Sequence, residues 1–142
     1  MWKPEHVLVG TDFSEGSEVA LAIACEQAKT YGARLTILHA YSAALDLVDP
    51  QGTAPARIEI GTEVHRALAM VKAEYDGQVR QLHAEVLASE SAGDTLCAYA
   101  KDTSVDLIVV GAHGRTRRSP FNVGSTAERV ARHADCSVMI AR

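Results

Sequence analysis

Short, continuous runs of Val, Ile and Leu are the feature of this 142-residue sequence that most limits its possible folds. The strongest runs lie at His6–Gly10, Arg34–Ala40 and Asp106–Gly111. Their apolar residues are consecutive rather than alternating, which is typical of strands buried on both faces of a parallel sheet. Weaker strand candidates lie at Ala84–Ser89 and Cys136–Ala141. These runs together predict a parallel sheet.

Segments with helical periodicity and capping residues separate the predicted strands. Gly32 stands where a helix end needs a positive φ, Asp94 is a candidate N-cap, and Ser125 to Glu128 matches a capping box. The predicted helices are Glu15–Tyr31, Glu59 to about Leu82, Asp94–Asp102 and Ser125–His133. Alternating strands and helices imply right-handed crossovers, so we predict one doubly wound α/β domain, flavodoxin-like or Rossmann-like, over residues 1–142 with helices on both faces.

A long irregular stretch, from Tyr41 to Ile58, follows the second predicted strand directly. It contains Pro50, Gly52 and Pro55, which interrupt helices and strands. Loops of this length are unusual in a compact α/β unit. Two interpretations remain open, a lid near a ligand or a simple excursion over the surface.

Composition and charge restrict the classes of protein to consider. Hydrophobic residues make up 47% and charged residues 23% of the chain, as in ordinary globular proteins, and the net charge of −4 argues against general affinity for nucleic acids or membrane surfaces. No apolar stretch approaches the roughly 20 residues of a membrane-spanning helix, and Met1–His6 has no signal-peptide core. We therefore expect a cytoplasmic protein.

Three widely spaced cysteines give no sign of redox or metal chemistry. They form no CxxC pair and no zinc-type cluster with histidine. We expect a reducing compartment, with each cysteine acting as a small hydrophobic residue. The cysteines are Cys25, Cys97 and Cys136.

A glycine-rich segment that runs from Gly111 to Ser125 carries the main functional signal. Gly111 and Gly114 would let the backbone turn beneath a sugar and phosphate, and the predicted helix at Ser125 would present free amides to an anion. Three arginines between these glycines add positive charge suited to outer phosphates. The simpler alternative is a solvated basic loop with a serine N-cap. The three cations are Arg115, Arg117 and Arg118.

Two further strand ends lie on the same predicted edge of the sheet, where ligands of open α/β sheets bind. The first strand continues into Gly10-Thr11-Asp12, and the second ends at His39-Ala40. The Asp12 carboxylate can accept hydrogen bonds from ribose hydroxyls or hold a metal through water. Helix capping explains Asp12 almost as well, because Asp12 to Glu15 also resembles a capping box. His113 is a candidate phosphate contact or an incidental loop residue.

Several familiar catalytic motifs are absent from the sequence. It has no GxxxxGK[ST], no GxGxxG after the first strand, no GxSxG and no HExxH. We therefore exclude P-loop NTPases and dinucleotide dehydrogenases. We also predict no catalytic residue and no dedicated metal site.

The sequence resembles the universal stress protein family along essentially its whole length. The likeness is carried by the first strand and its Thr11-Asp12 turn, by the Leu38–Ala40 strand end, and by Asp106 to Gly114 continuing through Gly124 to Val130. The motif G-x2-G-x9-G-S/T, which marks the ATP-binding branch of that family, is intact here. The resemblance implies a five-stranded parallel sheet in the order 3-2-1-4-5 and a homodimer joined through the last strand, Cys136–Ala141.

The same resemblance implies roles for individual residues. Asp12 and Gly111 would contact ribose, and Thr11 and Ala40 would form walls of an adenine pocket. The phosphate-binding elements would be Gly114, Arg115, Gly124, Ser125 and Thr126. The set of candidate binding residues is completed by Gly10, His113, Thr116 and Arg117.

The implied ligand is ATP, with AMP or ADP as alternatives, and Mg²⁺ would accompany the nucleotide. The leading interpretation is a regulatory stress-response protein that acts through its dimer on an unknown protein partner. Hydrolysis would be slow at most, since no residue plainly activates a water. Two alternatives remain, a slow ATPase or autophosphorylating enzyme that uses Ser125 or Thr126, and a nucleotide-free dimeric interaction module.

Overall fold

The computed structural model describes residues 1–41, 55–114 and 122–142, with side chains from residue 62 onward in the second range. Within these ranges, strands and helices alternate strictly along the chain. The strands are β1 (His6–Gly10), β2 (Arg34–Tyr41), β3 (Leu82–Ala88), β4 (Leu107–Gly111) and β5 (Ser137–Ala141). The helices are α1 (Glu15–Tyr31), α2 (Pro55–Tyr75), α3 (Ala92–Asp102) and α4 (Ser125–His133).

The strands form one parallel sheet in the order β3-β2-β1-β4-β5. Strand β1 pairs with β2 on one side and with β4 on the other. Its Val9 lies opposite Ile37 of β2 and Val109 of β4. The chain moves outward to β3 on one side of β1 and to β5 on the other, so the strand order reverses between β1 and β4. The predicted fold class and strand order are therefore confirmed, and the reversal point is where this architecture places ligands.

Helices cover both faces of the sheet, which explains the continuous apolar runs of the sequence. Val7, Leu8 and Val9 are consecutive in β1, and each is completely buried. Val7 and Val9 pack with residues of α1 and with Leu68 of α2, whereas Leu8 packs with residues of α3 and α4. Because neighbouring residues of a strand point to opposite faces, only a sheet covered on both sides buries all three.

The second helix differs most from its predicted bounds. The second helix ends at Tyr75 rather than near Leu82, since Gly77 takes a left-handed conformation with φ 77° and Leu82 begins β3. The same helix begins at Pro55, so residues 55–58 are helical and their prediction as irregular was wrong. The remainder of that stretch, residues 42–54, lies outside the described residues.

The C-cap of α1 was predicted correctly, whereas the N-caps of three helices were not. The N-cap of α1 is Ser14, so Asp12 to Glu15 does not form the capping box that their pattern resembled. Gly32 has φ 67° and ends α1 as expected. The N-cap of α3 is Ser91, whose side chain accepts a hydrogen bond from the Asp94 amide at 3.3 Å, so Asp94 lies in the first turn. The N-cap of α4 is Gly124, and Ser125 is therefore its first helical residue rather than the head of a capping box.

None of the helices in the described part of the chain has both the length and the apolar character needed to cross a membrane.

Candidate functional site

A cavity of about 140 Å³ opens at the carboxyl edge of the sheet, where the strand order reverses between β1 and β4. Its walls come from the ends of β1, β2 and β4, and from residues near the starts of α1, α3 and α4. The lining residues are Gly10, Thr11, Asp12, Ser17, Leu38, Ala40, Ala92, Leu96, Val110, Gly111, His113, Gly114, Gly124, Ser125, Thr126 and Ala127.

The turn after β1 is fixed mainly by Thr11. Its backbone amide donates to the Leu38 carbonyl at 3.0 Å and so continues the pairing with β2. Its hydroxyl accepts from the Phe13 amide at 3.1 Å and donates to Ser17 Oγ at 3.2 Å. His39 Nδ1 donates to the Thr11 carbonyl at 2.7 Å, since a carbonyl can only accept. Thr11 is buried, and these hydrogen bonds fix the conformation of the turn that follows β1.

Asp12 connects this turn to helix α1. Its Oδ1 accepts hydrogen bonds from the Ser14 amide at 3.0 Å and from the Ser14 hydroxyl. Ser14 is itself the N-cap of α1 and accepts from the Ser17 amide at 3.3 Å. The other oxygen, Oδ2, lies beside Gly114, where an added Cβ would stand 2.9 Å away. Asp12 therefore supports the helix start with one oxygen and faces the glycine segment with the other.

Gly111 at the end of β4 is required by packing. A Cβ on Gly111 would lie 2.6 Å from the Gly16 carbonyl oxygen, and a Cβ on Gly16 would collide with the carbonyl oxygen of His113. The first turn of α1 therefore lies directly on the backbone that leaves β4. Gly111 also lines the cavity, so its packing role accompanies the ligand role that the family resemblance implied.

Helix α4 begins without a capping side chain. Its N-cap, Gly124, donates its amide to the Ala112 carbonyl at 2.6 Å, and a Cβ there would lie 3.1 Å from the same oxygen. Since glycine offers no acceptor to the first-turn amides, the α4 terminus presents donors and the positive end of its dipole to the cavity. This is the local arrangement that an anion can complete.

The wall formed by α3 was not predicted from the sequence. Ala92 and Leu96 line the cavity from this helix, and a Cβ on Gly10 would lie 2.9 Å from Leu96 Cδ1. Gly10 therefore makes room for Leu96. The only available signal was that α3 follows β3 from the same edge of the sheet. The other lining residues missed were Ser17, Leu38, Val110 and Ala127.

Most of the predicted binding residues come together at this cavity. Arg115, Thr116, Arg117 and Arg118 lie outside the described residues. Within the part of the chain that the structure describes, no group of three or more His, Cys, Asp or Glu side chains could hold a metal ion. The predicted residues that line the cavity are Gly10, Thr11, Asp12, Ala40, Gly111, His113, Gly114, Gly124, Ser125 and Thr126.

The cysteines lie apart from the cavity lining. Cys25 lies on α1 and is buried in the core beneath that helix, while Cys97 and Cys136 are half-buried. Burial raises the pKa of each thiol, which disfavours the reactive thiolate. Their environment matches that of small hydrophobic residues, as the sequence suggested.

A parallel α/β sheet with a cavity at the point where its strand order reverses defines a class of proteins that bind small ligands there. The model of the universal stress protein family matches residues 4–142. The chain therefore belongs to the universal stress protein family.

Sequence similarity to individual universal stress proteins supports this assignment. A universal stress protein of Thermus aquaticus is 30% identical over 139 residues, which cover 96% of this chain and 97% of that protein. A universal stress protein of Mycobacterium tuberculosis is 32% identical over 144 residues, which cover 98% of this chain but 46% of that protein. The chain thus spans about half the length of the mycobacterial relatives it matches.

Solved structures share the fold. A universal stress protein from Lactobacillus plantarum is 26% identical, with a TM-score of 0.76 and full coverage of both chains. A universal stress protein solved in complex with cAMP is 23% identical, with a TM-score of 0.75 and coverage of 99% of both chains.

Proposed function

We propose that this chain binds an adenine nucleotide in the cavity at the carboxyl edge of its sheet. ATP is the primary candidate, with AMP or ADP as alternatives, and Mg²⁺ accompanies the nucleotide. The observation that carries the proposal is the uncapped start of α4 at Gly124, which faces a cavity also bordered by the Asp12 carboxylate. A ligand that joins a phosphate to a ribose satisfies both features.

Each part of the nucleotide has a matching wall in this proposal. The phosphates lie against Gly114 and the first turn of α4, where Ser125 and Thr126 add hydroxyls to the backbone amides. The ribose hydroxyls donate to the Asp12 carboxylate, which lines the cavity. The phosphate contacts are completed in this proposal by the predicted site residues Arg115, Thr116 and Arg117.

The base occupies the apolar part of the cavity. Thr11 and Ala40 form one side, at the ends of β1 and β2, and Leu96 of α3 forms another. An adenine ring needs flat apolar walls, and backbone groups at a strand end supply its polar edge contacts. In the family, a protein of this fold was solved in complex with cAMP. That complex supports an adenine nucleotide as the ligand class to test here.

The site favours holding a nucleotide over hydrolysing it. Asp12 and His113 are the titratable side chains among the described lining residues. The carboxylate of Asp12 is tied to the start of α1 through Ser14, which leaves it poorly placed to activate a water. We therefore propose phosphate release that is slow at most.

The biological role that fits this site is regulatory. We propose a cytoplasmic stress-response domain, spanning residues 1–142, that forms a homodimer through the C-terminal strand and signals to a protein partner. In the described sheet β5 is an edge strand, paired only with β4, and Val138, Met139 and Ile140 on it are half-buried. Pairing with a second copy would cover that edge.

Calorimetry on nucleotide-stripped protein tests the binding proposal. ATP, AMP and cAMP are titrated separately in the presence of Mg²⁺, and at least one should give saturable heat with a stoichiometry of one per chain. Gly124→Ala, which pushes the α4 terminus against the Ala112 carbonyl, should weaken that binding. Absence of saturable binding for all three nucleotides would overturn the proposal.

A further inference from the structure

Helices α3 and α4 meet directly behind the cavity wall. Ala92 and Leu96 line the cavity from α3, and Ser125 to Ala127 line it from α4. The distance between the first turns of these two helices therefore sets the width of the cavity on this side. Whatever fixes that distance also positions the α4 amides.

A two-point ion pair joins the two helices. Arg129 Nε lies 2.6 Å from Asp94 Oδ1, and Arg129 Nη2 lies 3.0 Å from Asp94 Oδ2. The flat guanidinium and carboxylate groups therefore meet side by side, which restricts distance and orientation together. Asp94 belongs to the first turn of α3, one helical position after Gly93.

The backbones beneath this pair are in close contact. A Cβ on Gly93 would lie 2.7 Å from Arg129 Cβ and 3.4 Å from the Thr126 carbonyl oxygen. Gly93 is the neighbour of Ala92, and Thr126 lines the cavity. The contact beneath the ion pair is thus next to the lining residue Ala92 on α3, and on α4 it includes the lining residue Thr126.

The ion pair is too exposed to account for much of the folding free energy. The Asp94 and Arg129 side chains are each 51% exposed, and exposed ion pairs contribute little to stability. A geometric role at the neighbouring site fits its two-point form better than a stabilising role.

We propose that Asp94 and Arg129 are positioning residues of the nucleotide site, which fix the gap between α3 and α4 and so place the α4 amides against the phosphates. This inference rests on the proposed function. Neither residue lines the cavity, so both act through the helices that carry them.

A double-mutant cycle tests this role. The dissociation constant for ATP with Mg²⁺ is measured by calorimetry for wild type, Arg129→Gln, Asp94→Asn and the double variant, with a thermal unfolding curve for each. Each single variant should raise the dissociation constant roughly three- to tenfold. The dissociation constant of the double variant should exceed that of the weaker-binding single variant by no more than about twofold. Unfolding midpoints should move little.

The matched control is Arg132→Gln, which removes the Arg132–Glu128 ion pair at 3.0 Å within α4 itself. It should bind ATP like wild type. Arg129→Lys keeps the charge but loses the two-point contact, and it should show an intermediate affinity. It carries the test if Arg129→Gln is unfolded at the assay temperature.

Two results would overturn the inference while leaving the proposed function intact. One is a dissociation constant of Arg129→Gln for ATP that equals that of Arg132→Gln. Where Arg129→Gln is unfolded, the same comparison is made with Arg129→Lys. The other is a double variant whose fold-change in dissociation constant equals the product of the two single fold-changes. Such a product indicates independent residues, whereas two residues that act through one contact give a smaller combined effect. Absence of binding of ATP, AMP and cAMP by the wild type would overturn both, and the wild-type titrations alone reveal that case.

Discussion

The backbone of Gly114 lies against the carboxylate of Asp12, so that a Cβ on Gly114 would stand 2.9 Å from Asp12 Oδ2. These residues are about a hundred positions apart in the chain. Asp12 lines the cavity just after β1, and Gly114 lines it just after β4. Their contact joins the turn after β1 to the glycine segment after β4. The proposed ribose and phosphate contacts therefore belong to one continuous surface.

Gly114→Ala should weaken nucleotide binding by about tenfold, or about 1.4 kcal/mol. The new methyl group must displace either the Asp12 carboxylate, which Ser14 holds in place, or the glycine segment itself. Gly114 is exposed, so the free energy of unfolding should change little. Titration calorimetry with ATP and Mg²⁺ measures the effect.

Gly77→Ala is the matched control for Gly114→Ala. Gly77 lies between α2 and β3 and has φ 77°, so alanine there should cost about 1 kcal/mol of stability. Its ATP affinity should remain that of wild type. Equal affinities for Gly114→Ala and Gly77→Ala would contradict the assigned role of Gly114.

Gly111→Ala should act mainly on stability, with a loss of about 1–3 kcal/mol in the free energy of unfolding. Its Cβ would be 2.6 Å from the Gly16 carbonyl oxygen, and backbone atoms at that point cannot move aside cheaply. Denaturant unfolding followed by circular dichroism measures the loss. A wild-type midpoint would show that α1 does not press on the end of β4 as described.

The sheet was predictable because burial on both faces leaves a strong mark in the sequence. Most residues of β1, β2 and β4 are buried, and their runs of Val, Leu and Ile gave nearly correct bounds. Strand β3 is only half-buried and includes His83 and Glu85, so its start at Leu82 was assigned to the preceding helix. An edge strand with polar residues lacks the continuous apolar signal.

The candidate site was predictable where residues follow strand ends, and not where a helix contributes a wall. Thr11, Asp12 and Gly114 follow central strands, whose carboxyl ends must share one edge. The contributions of Ala92 and Leu96 depend on how closely α3 approaches α4, which Gly93 and Arg129 decide. Such a contact between distant segments has no local periodicity or capping signature.

Acid should destabilise the fold through His6, at the opposite edge of the sheet. His6 is 3% exposed, its Nδ1 donates to the Thr103 carbonyl at 3.2 Å, and its Nε2 accepts from the Thr36 hydroxyl at 2.9 Å. Burial, helped by the nearby Arg34 charge, lowers the pKa of His6 below its ordinary value of 6.5. The unfolded chain therefore binds a proton more readily than the folded one between these two pKa values.

Stability should consequently fall as the pH drops below about 6.5, by at most about 1.4 kcal/mol per pH unit for this one group. Denaturant unfolding at a series of pH values between 7.5 and 4.5 measures the slope, where roughly half-unit steps suffice. His6→Gln should lose this component of the slope, whereas His133→Gln, at an exposed position on α4, should retain it. Identical slopes for wild type and His6→Gln would refute the assignment.

The chain should form a homodimer in solution. Light scattering coupled to size exclusion should give twice the 15.2 kDa chain mass at micromolar concentration. The reason is the unpaired edge of β5 in the described sheet, together with the half-buried apolar residues on that strand. A mass of one chain across the accessible concentration range would exclude the proposed assembly.

The most direct test of nucleotide binding at this cavity is an NMR titration of isotope-labelled, nucleotide-stripped protein with ATP and Mg²⁺. We predict saturable shifts of the backbone amides of Thr11, Gly114 and Ser125, which line the cavity. The amides of Gly32 and Gly77, in turns at the opposite edge of the sheet, should not move. Absence of saturable shifts, or shifts concentrated away from the cavity, would contradict the account.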